Sequence, residues 1–262
     1  MNGKIIVVTH KEYKMPCDTV YLPVCVGVGR DALRNKYQAD DEGENISDKN
    51  ILYCELTALY WAWKNLNCDY IGLAHYRRYL TESKRSKNIE DALSQPRIEE
   101  LLMDYDIIVP REKRYSQTIA DHYINCIKSR KDAHKIHLQL LRDSILEVAP
   151  EYIAEYDKTM NGHSAHMLNM FVMKKEWVDK YCTWLFDILS QLEKRIDLRG
   201  MDSFQARLFG RVSELLLDVW IEANQLKYKE IKYVPIGPYH FWKKVGAFLK
   251  AKLYGKQYNA SV

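Results

Sequence analysis

DYIGLAHYRRYL, residues 69–80, decides the fold of this chain. Tyr70 to Ala74 is a short apolar run that reads as a buried strand, and it ends abruptly in His75, Tyr76, Arg77, Arg78 and Tyr79. In an open α/β sheet, ligands bind outside the C-terminal ends of the strands. Two adjacent guanidiniums beside a histidine and two phenols suit an anionic ligand that also carries a ring or a sugar, which points to a phosphate-bearing substrate. A solvated basic turn after a strand is the other reading of the same residues.

Outward from this stretch, strand and helix patterns alternate. KIIVVT (4–9) is a β-branched central strand with Thr9, His10 and Lys11 at its end. Val20 to Val28 is a strand interrupted by Pro23 and Gly27, and Asp40 to Asn45 is an acidic loop. A helix is expected from Asp48 to Leu66, with Ser47 or Asp48 as N-cap. Its apolar face carries Ile51, Leu52, Leu56, Leu59, Ala62, Trp63 and Leu66, with Glu55 in the middle. A carboxylate there is costly unless a cation or hydrogen-bond donors meet it. Either Arg77 or Arg78 is that partner, or Glu55 reaches solvent past Ala58.

Further elements follow: a helix from Pro96 to Met103, a strand from Tyr105 to Pro110, and a helical stretch from Thr118 to Pro150 that breaks near Ser129. A strand from Met167 to Met173, helices over 175–195 and 203–225, and a strand from Tyr228 to Val234 complete the pattern. The alternation predicts an α/β fold with a mostly parallel central sheet flanked by helices. Residues 1–239 read as one domain and 240–262 as a separate basic segment.

Nineteen tyrosines and six tryptophans against six phenylalanines favour wet clefts and interfaces as well as cores. Six lysines and no carboxylate follow Glu230, so the net charge of +4 resides in the tail and the body is slightly acidic. Nucleic acid is therefore not an expected partner. The six cysteines have no C-x-x-C spacing and read as reduced, mostly buried thiols. No apolar run approaches the ~20 residues that span a bilayer and no signal peptide is evident, so a cytoplasmic protein is the expectation.

The tail from His240 to Tyr254 is amphipathic: Phe241, Trp242, Val245, Phe248, Leu249 and Leu253 share a face, with lysines around it. It suits a helix lying on an anionic membrane surface, or one docked on the protein's own core. Arg207, Arg211, Glu214 and Asp218 fall on one flank of the 203–225 helix, as a surface ion-pair ladder would. Alternatively, Glu214 or Asp202 faces the cleft as a general base. His163, His166 and Asn169 lack a further ligand at metal-binding distance, and bind acceptor hydroxyls or are plain loop residues. There is no phosphate-binding glycine loop and no nucleophile elbow. Nor is there a D-x-D pair after a strand to hold a divalent metal.

Three segments, DDEGENISDKNILYCELTALYWAWKN (40–65), DYIGLAHYRRYL (69–80) and NMFVMKKEWVDKYCTWLFDIL (169–189), supported by RLFGRVSELLLDVW (207–220), carry a family resemblance. The chain resembles bacterial capsular and exopolysaccharide glycosyltransferases first catalogued as a domain of unknown function. Some of those transfer galactofuranose with inversion onto a lipid-linked glycan. The resemblance implies a single GT-A-like, Rossmann-like domain that takes a UDP-sugar donor and uses no metal. It implies that Thr9, His10 and Lys11 border the nucleotide, that Asn45, Ser47 and Asn50 line the donor pocket, and that His75, Tyr76, Arg77 and Arg78 contact the diphosphate or donor sugar. Asp202 and Glu214 are then the candidate bases, and His163, His166 and Asn169 the acceptor side. A lipid-linked acceptor would place the protein on the inner face of the membrane. A non-catalytic nucleotide-sugar- or carbohydrate-binding protein on the same fold is the alternative.

Overall fold

The computed structural model describes residues 1–83, 88–126, 131–199 and 206–236. Its strands are β1 (Gly3–Thr9), β2 (Tyr21–Cys25), β3 (Gln38–Ala39), β4 (Tyr70–His75), β5 (Arg78–Leu80), β6 (Ile107–Pro110), β7 (Lys113–Arg114), β8 (Ser164–Ala165), β9 (Phe171–Lys174), β10 (Tyr228–Ile231) and β11 (Tyr233–Pro235). The main sheet runs β10-β6-β9-β4-β1-β2-β3. Every neighbour along it is parallel except β9, which is antiparallel to both β4 and β6. β5 turns back from β4 and pairs with β11, while β7 and β8 form a separate two-stranded ribbon.

The centre of the sheet is buried on both faces, which is why β1 is apolar without alternation. Ile6 and Val8 enter one core and Ile5 and Val7 the other. The α-helices among the described residues are α1 (Arg30–Leu33), α2 (Asn50–Tyr53), α3 (Leu56–Asn65), α4 (Gln95–Asp104), α5 (Ile119–Asn125), α6 (Lys131–Val148), α7 (Ile153–Asn161), α8 (Lys175–Arg195), α9 (Leu208–Ser213) and α10 (Leu216–Ala223). The first core is covered by α3 and α8. α8 buries Val178, Tyr181, Cys182, Leu185, Ile188, Leu189 and Leu192, the i, i+3, i+4, i+7 stripe its sequence predicts. The second core is covered by α4 (Gln95–Asp104), which Pro96 opens and through which Ile98 and Leu102 pack.

Four expectations change. The helix of 48–66 is two, α2 (Asn50–Tyr53) and α3, broken at Cys54 and Glu55. The helix of 203–225 shows, within its described part, as α9 (Leu208–Ser213) and α10 (Leu216–Ala223), broken at Glu214 and Leu215. The strand begun at Met167 starts instead at Phe171, because Leu168 and Asn169 have positive φ. The strand of 228–234 divides between β10 in the main sheet and β11 beside β5. Asp202 and the 240–262 segment lie outside the described residues.

Candidate functional site

The C-terminal ends of β1 and β4 lie side by side: Val8 is opposite His75, and the Tyr76 N–H donates to the Val8 carbonyl at 3.2 Å. His75 then pairs with Arg78 across a tight hairpin, so Tyr76 and Arg77 form its turn. The buried Tyr76 ring gathers its neighbours, with the rings of His75, Tyr13 and His10 at 4.4, 5.0 and 5.5 Å between centroids. The Arg77 guanidinium and Lys11 ammonium stand 5.2 and 5.5 Å from the Tyr76 centroid. A ring face orients a cation without neutralising it.

Among the described residues, Lys11, Arg77, Arg78 and Lys113 meet no carboxylate at ion-pair distance, whereas Arg30, Arg34, Arg97, Arg142 and Arg195 all do. Burial, then the Arg78 and Arg77 charges, push His75 down to about 3; burial and Lys11 lower His10. Both rings are therefore neutral near pH 7, and the cluster's charge comes from its lysines and arginines.

Two carboxylates face this cluster. Glu55 sits at the α2–α3 break, immediately before α3. Glu214 sits at the α9–α10 break. Both are half-buried, and both feel the charge of Arg78. Burial raises Glu55 above the usual carboxylate range, against the pull of the Asn169 hydrogen bond, its own main-chain N–H, Arg207 and Arg78. Burial first, and the charge of Glu55 second, raise Glu214 to about 7, while Lys113, the Leu168 N–H and Arg78 oppose the shift.

The backbone beside these carboxylates is strained. Cys54, Leu168 and Asn169 have φ of 53°, 93° and 49°. Such non-glycine conformations cost on the order of 1–3 kcal/mol each and persist only where their surroundings impose them. At Cys54 the surroundings are explicit. Its carbonyl accepts from Asn50 Nδ2 at 2.8 Å, and its Sγ accepts from Arg207 Nε at 3.4 Å. Gly210 lets α9 approach, since a Cβ there would lie 3.0 Å from the Cβ of Cys54.

Residues 4–225 match the family described as a domain of unknown function, DUF4422. The chain belongs to the DUF4422 family. No curated protein matches it. Among solved structures, the apo form of WbbM, a bifunctional glycosyltransferase, matches 91% of the chain at 28% identity with a TM-score of 0.79. The chain spans 46% of that protein, about half its length. The fold of this DUF4422 chain is thus GT-A-like.

Of the residues singled out in the sequence, His10, Lys11, His75, Tyr76, Arg77 and Arg78 come together at the ends of β1 and β4, and Glu214 lies within electrostatic reach of Arg78. Thr9 is buried, and its Oγ1 exchanges hydrogen bonds with the Lys11 main chain at 2.5 and 3.2 Å, which shapes the turn after β1. Asn50 lies behind Cys54 as a brace. Asn45 accepts from Ser47 Oγ at 2.9 Å and donates to the Gly43 carbonyl at 2.8 Å, so this pair organises the acidic loop. Asp40 and Asp41 do follow a strand, β3, but Asp40 accepts from Thr57 and both face Arg30.

His163 is exposed and gives its carbonyl to the Tyr115 N–H. His166 is committed elsewhere: Nδ1 lies 2.5 Å from Asp218 and Nε2 3.1 Å from Glu230. Asn169 turns its amide to Glu55. The surface ladder is overturned, because the break after α9 sends its members apart. Arg207 goes to Cys54, Arg211 over the Tyr123 ring at 5.1 Å, Glu214 to within electrostatic reach of Arg78 and Asp218 to His166.

Sequence reasoning missed Glu55 as a site residue, although its place on an apolar face marked it as unusual. It also missed Lys113 and Arg207, which carry no local signal. An open groove of about 790 Å³ lined by Glu12, Tyr13, Lys14, Met15, Lys36 and Tyr37 adjoins the cluster, and Lys36 pairs with Glu12 there. Among the described residues no three His, Cys, Asp or Glu side chains gather as a metal site, and no helix is long and apolar enough to cross a membrane.

Proposed function

We propose that this DUF4422 chain is a glycosyltransferase that moves a sugar from a UDP-sugar to a glycan acceptor, with inversion and without a metal. The observation that carries it is a row of cations at the C-terminal ends of β1 and β4, with no carboxylate at ion-pair distance among the described residues, within electrostatic reach of a carboxylate raised to about 7. The likeness to a glycosyltransferase of the same fold supports it.

On this reading Lys11, Arg77 and Arg78 receive the donor diphosphate. Two guanidiniums offset the charge that develops on the leaving group, the task a divalent ion performs elsewhere. Glu214 removes the proton of the acceptor hydroxyl. That oxygen forms a bond to the anomeric carbon on the face opposite the diphosphate, and the anomeric C–O bond breaks with its electron pair passing to UDP. A base titrating near 7 suits proton abstraction at neutral pH, so turnover rises as pH rises through about 7. Galactofuranose as the sugar, a lipid-linked acceptor in capsular, exopolysaccharide or O-antigen assembly, and attachment to an anionic membrane through the basic tail extend the same proposal.

The test is UDP release across a panel of UDP-sugars and glycan acceptors, in wild type and Glu214→Gln. The variant should bind UDP normally and lose roughly 10²–10⁴ in turnover. UDP binding with no turnover across the panel would instead mark a binding protein.

A further inference from the structure

One turn reaches toward both carboxylates. The Leu168 main-chain N–H favours the charged form of Glu214. One residue on, Asn169 Nδ2 donates to Glu55 Oε1 at 2.8 Å, with the Gly210 carbonyl at 2.9 Å and Ser213 Oγ at 3.0 Å completing its surroundings. Ser213 Oγ also reaches Asn169 Oδ1 at 3.2 Å and the Gly210 carbonyl at 2.9 Å. Asn169 is buried, and all its polar contacts are to protein, so it is not placed as a ligand contact.

The turn that does this is strained at two consecutive residues, Leu168 at φ 93° and Asn169 at φ 49°. Asparagine tolerates the second conformation; leucine does not tolerate the first. Strain of this kind belongs to sites whose geometry is imposed.

We propose that the Leu168–Asn169 turn is a positioning device for the carboxylate at the α2–α3 break: its side-chain amide holds Glu55, and Asn169 is the positioning residue. This deepens the glycosyl-transfer reading and rests on it for the chemistry, though not for the geometry. The amide presents a donor to Glu55, so it favours the ionised form there, and an ionised Glu55 repels charge on Glu214. The other groups that face the pair are Arg78, Lys113, Tyr115, Arg207 and Cys54, from four separate parts of the chain.

The experiment follows the glutamate side-chain ¹³C signals of the full-length protein from pH 4 to 9, with Glu55→Gln and Glu214→Gln identifying the two resonances. Asn169→Gly keeps the backbone, because glycine adopts φ 49° freely, and removes only the amide. Asn169→Asp keeps the shape and replaces the donor by a carboxylate. Both should raise the Glu55 midpoint by about one pH unit, the loss expected for a hydrogen bond to a charged group. An unmoved Glu55 midpoint in the folded glycine variant would by itself overturn the proposal. UDP affinity is measured alongside by calorimetry and should stay within twofold of wild type in Asn169→Gly. A wild type that binds no UDP would count against the transferase reading, while the titration would still judge the turn.

Discussion

Glu214→Gln should make the protein more stable above neutral pH while it abolishes turnover. A carboxylate that titrates at about 7 in the fold and near 4.5 when unfolded binds its proton more tightly in the native state. Between those values the unfolded chain has already lost the proton that the folded chain keeps. Stability therefore falls as pH rises from about 4.5 to 7, and the penalty is complete above 7. At ~1.4 kcal/mol per pH unit the full penalty is about 3 kcal/mol, and the residual solvent contact of Glu214 reduces it to about 1–3 kcal/mol. The neutral amide escapes this cost. For a chain of this size the gain corresponds to roughly 3–10 °C in Tm. The assay is thermal unfolding of wild type and variant at pH 5, 6, 7 and 8. The difference in Tm should be smallest at pH 5, grow through 7 and then level off. A difference that is flat across the series, or that favours the wild type at pH 8, would refute the reasoning, because Glu214 would then titrate as an ordinary surface carboxylate.

Arg77→Ala and Arg78→Ala should each weaken UDP binding by about 10- to 100-fold, the value of a hydrogen bond to a charged group, with Tm nearly unchanged because neither side chain forms an ion pair to lose. Calorimetric titration with UDP checks this, and unaltered affinity in both variants would remove the anion-site assignment. His166→Gln should cost more stability at pH 6 than at pH 9. Burial opposes a charge on His166, but Asp218 and Glu230 together outweigh it and raise the group above 6.5. The raised pKa contributes stability that is complete below 6.5 and fades as pH climbs through the folded value. Chemical denaturation at the two pH values decides it, and equal losses would show that the histidine acts by packing alone. Turnover should survive EDTA, since lysines and arginines take the place of a metal in this mechanism. Loss of activity that manganese restores would show the opposite.

The elements with strong periodicity were legible in the chain. β1 reads as a central strand because both its faces are buried, and α8 reads as a helix because its apolar stripe repeats at helical spacing. The cluster of cations was legible for a related reason. Lys11 follows β1, while Arg77 and Arg78 follow β4, and parallel pairing of β1 with β4 brings the two strand ends together. The misfit of Glu55 on an apolar face was visible too, but not its answer.

Local pattern thus accounts for the α/β layering and the cationic rim, because both depend on short-range periodicity and on the rule that neighbouring parallel strands end at one edge. The pair of half-buried carboxylates, in contrast, arises from long-range contacts. Apolar residues run unbroken through Cys54 and through Leu215, so hydrophobic periodicity continues a helix at both places. The first break forms because Asn50 and Gly210 hold Cys54 at positive φ, and because Asn169 binds Glu55 across more than a hundred residues of sequence. Backbone strain that distant contacts impose leaves no mark on local propensity, so Glu55, Glu214, Lys113 and Arg207 became one site only when the chain had folded.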